Sequence, residues 1–136
     1  MTSNRPASVV AVALATLALA ACGQSGARSP GALVDGITRS VYAADYDGTT
    51  SYMDAATKAQ VTRAEIGDLS DRMHALGAYQ GAAEKQADPD RGVYEYDLKF
   101  ASGHMTAKIR LDPSGKVGAY RVFPASGPAQ TGALTG

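Results

Sequence analysis

The feature that most constrains this chain is a change of hydrophobic period near residue 78. Before it, apolar residues recur at helical spacing, and after it they alternate every second residue. Tyr94, Tyr96, Leu98 and Phe100 alternate with Val93, Glu95, Asp97 and Lys99. Past Ser102-Gly103, Met105, Ala107, Ile109 and Leu111 alternate with Thr106, Lys108 and Arg110. A two- or four-residue turn around Ser102-Gly103 then pairs Phe100 with Met105, Leu98 with Ala107, Tyr96 with Ile109 and Tyr94 with Leu111. The same register sets Asp97 opposite Lys108 and Glu95 opposite Arg110, each pair contributing about 0.2–1 kcal/mol. One face of this hairpin is apolar and the other charged, so a one-residue slip would destroy both patterns.

Two further strands complete the sheet. Asp112-Pro113-Ser114-Gly115 is a turn with proline in its favoured second position. If Gly115 forms a bulge, Val117, Ala119, Arg121 and Phe123 share the apolar face and Arg121 points toward the helices. If a two- or four-residue loop forms instead, Tyr120 and Val122 take that place. An earlier strand, Ala78 to Gln86, brings the count to four.

The helices come first. Ser29-Pro30 is a start signal, because serine caps free amides and proline suits the first helical position. Leu33, Val34, Ile37 and Val41 follow on one face, while Gly31 and Gly36 weaken the helix, so packing must support it. Asp45 caps a second, short helix that presents Tyr52 and Met53. Thr62-Arg63-Ala64-Glu65 is a capping box with Val61 and Ile66 at the staple positions. Ile66, Leu69, Met73 and Leu76 form the buried stripe of that third helix, and Gly77 suits a left-handed stop. Helices followed by a meander define an α+β domain, with N-terminal helices packed on a curved four-stranded antiparallel sheet.

The N-terminal stretch reads as an address. Met1 to Ser8 is polar, with Arg5 its one charged side chain, and Val9 to Leu19 is apolar apart from Thr16. At about eleven residues this run falls short of the roughly 20 that span a bilayer, and it is a signal core. Leu19-Ala20-Ala21-Cys22 resembles the bacterial lipobox, in which a branched residue and two small ones precede a cysteine. The resemblance implies a diacylglycerol thioether on Cys22, cleavage before it, and acylation of the new amine. Cys22 is the single cysteine of the 136 residues, so no intrachain disulfide competes for it. Anchoring by two or three acyl chains, at about 0.8 kcal/mol per buried methylene, is firm. Gly23 follows where aspartate would favour inner-membrane retention, so the resemblance implies the periplasmic side of the outer membrane in a Gram-negative host.

The expected organisation is residues 1–21 as signal peptide, 22–29 as lipidated tether, 30–124 as the single domain, and 125–136 as a disordered tail rich in small residues. Formal charge is zero, and no basic stripe points to nucleic acid. From about Pro30 to Pro124 the chain resembles the nuclear-transport-factor-2-like (cystatin-like) superfamily, especially small bacterial envelope domains of unknown function. The resemblance rests on Asp45-Tyr46, on Leu76-Gly77 before the sheet, and on Leu111-Asp112-Pro113-Ser114-Gly115-Lys116-Val117 leading to Phe123-Pro124. It implies a cone-like sheet, often around a pocket, and pairing of copies through the sheets as homodimers.

Candidate chemistry is sparse. His104 belongs at an exposed hairpin tip, and His74 at the edge of the third helix's stripe, four residues after Ser70. Neither has a carboxylate placed to orient it as a general base. No Cys- or His-rich spacing suits a metal, and Asp88-Pro89-Asp90 lacks the following positions of a calcium loop and reads as a turn. No cofactor motif occurs. Tyr42, Tyr52, Met73, Tyr94 and Tyr96 lie where a pocket or a core would form, with Arg121 able to hold an anion there. The expectation is a non-catalytic, lipid-anchored envelope domain that binds a protein partner or small ligand through its sheet. The alternative is a small cone-fold enzyme or ligand-processing protein with its pocket near Tyr94, Tyr96 and Arg121.

Overall fold

A computed structural model describes residues 28–125; Cys22, the lipobox, most of the tether and most of the C-terminal tail lie outside them. Four helices precede four strands: α1 (Pro30–Tyr42), α2 (Tyr46–Ser51), α3 (Ala55–Gln60), α4 (Arg63–His74), β1 (Tyr79–Asp88), β2 (Val93–Phe100), β3 (Gly103–Leu111) and β4 (Val117–Pro124). The strands form one open antiparallel meander in the order β1-β2-β3-β4. The α+β class, with helices before a four-stranded antiparallel sheet, is therefore as expected.

Each helix starts where a polar side chain can take an orphan amide. The Ser29 hydroxyl accepts from the Ala32 amide at 3.3 Å with Pro30 at the first turn. Asp45 accepts from Gly48 at 2.9 Å. At α4 both halves of the capping box are present: Thr62 accepts from the Glu65 amide, and Glu65 accepts from the Thr62 amide at 2.8 Å. The helix α3 was not foreseen. Asp54 caps it through the Thr57 amide at 2.7 Å, but none of its residues is buried, so it leaves no hydrophobic period to read.

Leu33, Val34, Ile37 and Val41 of α1 face Tyr96, Leu98 and Phe100 of β2 and Met105, Ala107 and Ile109 of β3 in one core cluster. Met53, Met73 and Val117 close it from the sides. Thr38, also on the buried stripe, has its hydroxyl 2.8 Å from that of Tyr120, so this buried polar atom is paired across 82 residues of sequence.

The hairpin keeps its expected faces but shifts by two residues. Leu98 pairs with Met105, Tyr96 with Ala107 and Tyr94 with Ile109, while Phe100 meets Gly103. Glu95 accordingly stands opposite Lys108 and Asp97 opposite Thr106, replacing the expected partners Arg110 and Lys108. The loop is the two residues Ala101-Ser102, and a tertiary contact holds it there. The Leu76 carbonyl accepts from both the Ser102 amide and its hydroxyl at 2.8 Å. The strand β1 runs from Tyr79 to Asp88, starting one residue later and ending two later than the expected Ala78 to Gln86, with irregular register at Gly81 and after Glu84.

The last strand combines both alternatives. Gly115 is left-handed at φ 81°, and Val117 is fully buried as the bulge predicts. The register then slips between Val117 and Ala119, so that Tyr120 and Val122 pair with the inward-facing Ile109 and Ala107. Arg121 is exposed opposite Lys108 on the outer face.

Gly77, at φ 88°, turns the chain from α4 into β1, and a Cβ there would lie 2.9 Å from that of Ala101. Gly77→Ala is expected to cost about 1–3 kcal/mol through strained backbone and this contact. Urea unfolding checks it; a loss below about 0.5 kcal/mol would show that the loop can move aside.

Candidate binding groove at the free edge of the sheet

α4 rests on α1, whereas α3 rests on the start of β4. Between these supports a groove of about 770 Å³ remains open, running along the free edge of β4. Its volume falls in the range of roughly 300–1,000 Å³ typical of small-molecule sites.

Local chemistry closes one end. The Val117 amide donates to the Tyr52 carbonyl at 2.9 Å, the Asp54 amide donates to Val117 at 3.0 Å, and the Thr57 hydroxyl donates to Gly118 at 3.0 Å. These bonds occupy the β4 edge only as far as Gly118. The Tyr46 hydroxyl, donating to the Val61 carbonyl at 3.3 Å, fixes the corner where α3 meets α4. Ile66 and Leu69 present the α4 stripe to the groove, and Tyr120 and Val122 line it from the strand. Phe123, 46% exposed, is the one large hydrophobic residue left open among the described residues, and it stands at the same mouth.

The polar groups divide in two. Asp54 and Glu65 are already committed to helix caps. The Thr57 amide foremost, and the Thr62 amide foremost, hold these two carboxyls below the usual range. Arg72, Arg110 and Arg121 border the groove from α4, β3 and β4. Among the described residues none of the three has a carboxylate within ion-pair distance, in contrast to Arg39 and Arg63.

Of the six residues singled out from the sequence, Arg121 alone lines this groove. Tyr42 is half-buried, stacked on His74 with ring centroids 3.9 Å apart, and its hydroxyl donates to the Gly77 carbonyl at 3.1 Å. Met73 is fully buried behind it. Tyr52 packs against the core beside Gly36. Tyr94 and Tyr96 point inward from β2, and Tyr96 donates to Glu84 at 3.2 Å. Burial first, and then Glu84, pushes the Tyr96 hydroxyl up to about 12, so it stays protonated. Arg121 lies on the opposite face of the sheet from these two tyrosines. His74 Nδ1 is 2.9 Å from the Ser70 carbonyl, and Ser70 donates to the Tyr42 carbonyl at 2.8 Å, a cluster that ties α4 to the end of α1. His104 is exposed at the start of β3.

The groove went unread because it depends on α3, whose six residues bury nothing, and on the β4 register, which local sequence leaves open. The signal available was Asp54 followed by Ala55-Ala56-Thr57-Lys58, a capping residue before good helix formers. No protein-family model, curated protein or solved structure matches the chain.

The two depressed carboxyls carry a pH prediction. A lowered folded-state pKa contributes stability above the unfolded value and loses it as pH falls through the folded one. Stability should therefore decline as pH drops below about 4. Asp54→Asn with Glu65→Gln, which keep cap acceptors but remove the charges, should flatten that decline in urea midpoints measured from pH 5 downward. An unchanged slope would place the acid sensitivity elsewhere.

Proposed function

We propose that the chain is a lipid-anchored envelope domain, held at a bacterial membrane by acyl chains on Cys22, that works by binding rather than by catalysis. Its binding surface is the β4 end of the sheet. The observation that carries this reading is the groove itself: an apolar wall, an unpaired strand edge beyond Gly118, and three arginines with no carboxylate partner among the described residues. Its carboxylates are consumed by helix caps, which favours a recognition role over acid–base work.

Within the same reading the domain is a short, cone-like relative of the nuclear-transport-factor-2-like superfamily, on the periplasmic side, and at the outer membrane in a Gram-negative host. The two bulged strands, β1 and β4, support a curved sheet, because bulges bend the strand that carries them. The ligand is a small molecule or a protein segment that enters beside β4.

Two experiments test this. Cys22→Ser should abolish incorporation of labelled palmitate, leave an uncleaved precursor and release the protein from membranes; normal processing would remove the anchor from the proposal. A photoreactive p-benzoylphenylalanine in place of Phe123 should give a discrete adduct in cells, while the same group at exposed Lys99 of β2 should not. Equal labelling at both positions, or at Lys99 alone, would contradict binding at the β4 end.

A further inference from the structure

Resting on that reading, we infer that the ligand is a single-chain amphiphile with an anionic head, a long-chain carboxylate of the fatty-acid type. The groove has two chemically distinct parts. Val61, Ile66, Leu69 and Val122 supply an apolar trough, with Phe123 at its open end. Arg72, Arg110 and Arg121 supply cationic heads from three different elements. An apolar tail in the trough removes hydrocarbon from water at about 25 cal/mol per Å². Charged hydrogen bonds from guanidinium to carboxylate fix the head.

Charge complementarity sets the sign. The lining carries three arginines against two carboxylates, Asp54 and Glu65, whose oxygens are engaged at the amides of Thr57 and Thr62. Positive charge is therefore in excess there, most openly at Arg72 and Arg121, while Arg110 lies near Asp54. A cationic occupant would add to that excess. A neutral one would forgo it.

The strand edge decides between an acyl chain and an added peptide strand. Beyond Gly118 the edge is short, it begins at a register slip, carries Arg121 at its middle, and ends on Pro124. A bulge, a charge and a proline are the devices that discourage strand pairing at an edge. From Gly118 to Phe123 the strand spans about 20 Å at roughly 3.3 Å per residue. The groove is thus a trough closed at one end by the contacts of Tyr52, Asp54 and Thr57 with β4, suited to a flexible tail rather than to a peptide that needs a full ladder of backbone bonds.

The test uses the full chain in phosphatidylcholine nanodiscs and a palmitate probe bearing a diazirine on its tail and an alkyne for detection. Photolysis should label peptides containing Leu69 or Val122 and Phe123, and excess dodecanoate should suppress that label at least tenfold more effectively than dodecanol. Replacing the arginines, R72E/R110E/R121E, should abolish groove labelling, while R72K/R110K/R121K should retain a large part of it with the circular dichroism spectrum unchanged in both. Equal competition by dodecanol and dodecanoate would overturn the anionic head yet keep the groove as a site. Suppression by an acidic extended peptide but not by dodecanoate would overturn the amphiphile in favour of strand addition. Label confined to other peptides would overturn the amphiphile and the groove together.

Discussion

The structure depends on the contact between one face of α1 and the inner face of β2 and β3. Thirteen residues with two glycines do not make a helix that persists alone in water, since isolated helices shorter than about 12–15 residues are marginal even with good formers. The open sheet cannot leave Leu98 and Ile109 to solvent either. Each element therefore stabilises the other, and Val34, Ile37, Leu98 and Ile109 are all fully buried where they meet. Gly36 belongs to this arrangement: a Cβ there would collide with the Tyr52 ring, so its helix cost is offset by close packing of the chain after α2.

Once α1 is seated, the other helices attach by different means, and the groove follows from that difference. α4 buries Ile66, Ser70 and Met73 and leans on α1. α3 has no buried residue, and its attachment includes the Asp54 cap, the bonds between residues 52–54 and Val117, and Thr57 on Gly118. A helix held by packing would have been drawn down onto Tyr120 and Val122. A helix held by its end leaves them partly uncovered. The space beside β4 is thus a consequence of how α3 is tethered, and its arginines come from elements whose positions are fixed for other reasons.

Much of this was legible in the sequence. The caps at Ser29, Asp45 and Thr62, the buried stripe of α1, the left-handed Gly77 and the two faces of the hairpin all follow from local chemistry acting in one direction. The register of the hairpin did not. Loops differing by two residues preserve the same faces, so alternation cannot separate them, and the expected pairs Glu95–Arg110 and Asp97–Lys108 carried too little energy to decide. The Leu76 carbonyl decides, by catching Ser102 from 26 residues away. At β4, Val117 answers to the bulge and Tyr120 to the loop, because the slip between Val117 and Ala119 allows each to be buried in turn. Both cases turn on tertiary contacts that no local window contains.

Tyrosine use explains why the open groove lies at an edge and not under the sheet. With no tryptophan and two phenylalanines, the chain relies on seven tyrosines for aromatic area. Five have a hydroxyl tied to another part of the chain: Tyr42 to Gly77, Tyr46 to Val61, Tyr79 to Asp35, Tyr96 to Glu84 and Tyr120 to Thr38. Burial first raises the Tyr79, Tyr96 and Tyr120 hydroxyls well above their ordinary range, so they stay protonated. Each ring fills space between layers while its hydroxyl pins one layer to the next, which is how a buried tyrosine avoids an unpaired polar atom. The tyrosines that a sequence reader would assign to a pocket thereby consume the interior volume a pocket would need. What stays open is the flank of β4, where the hydrophobic wall is uncovered and the three arginines have no carboxylate within ion-pair distance among the described residues.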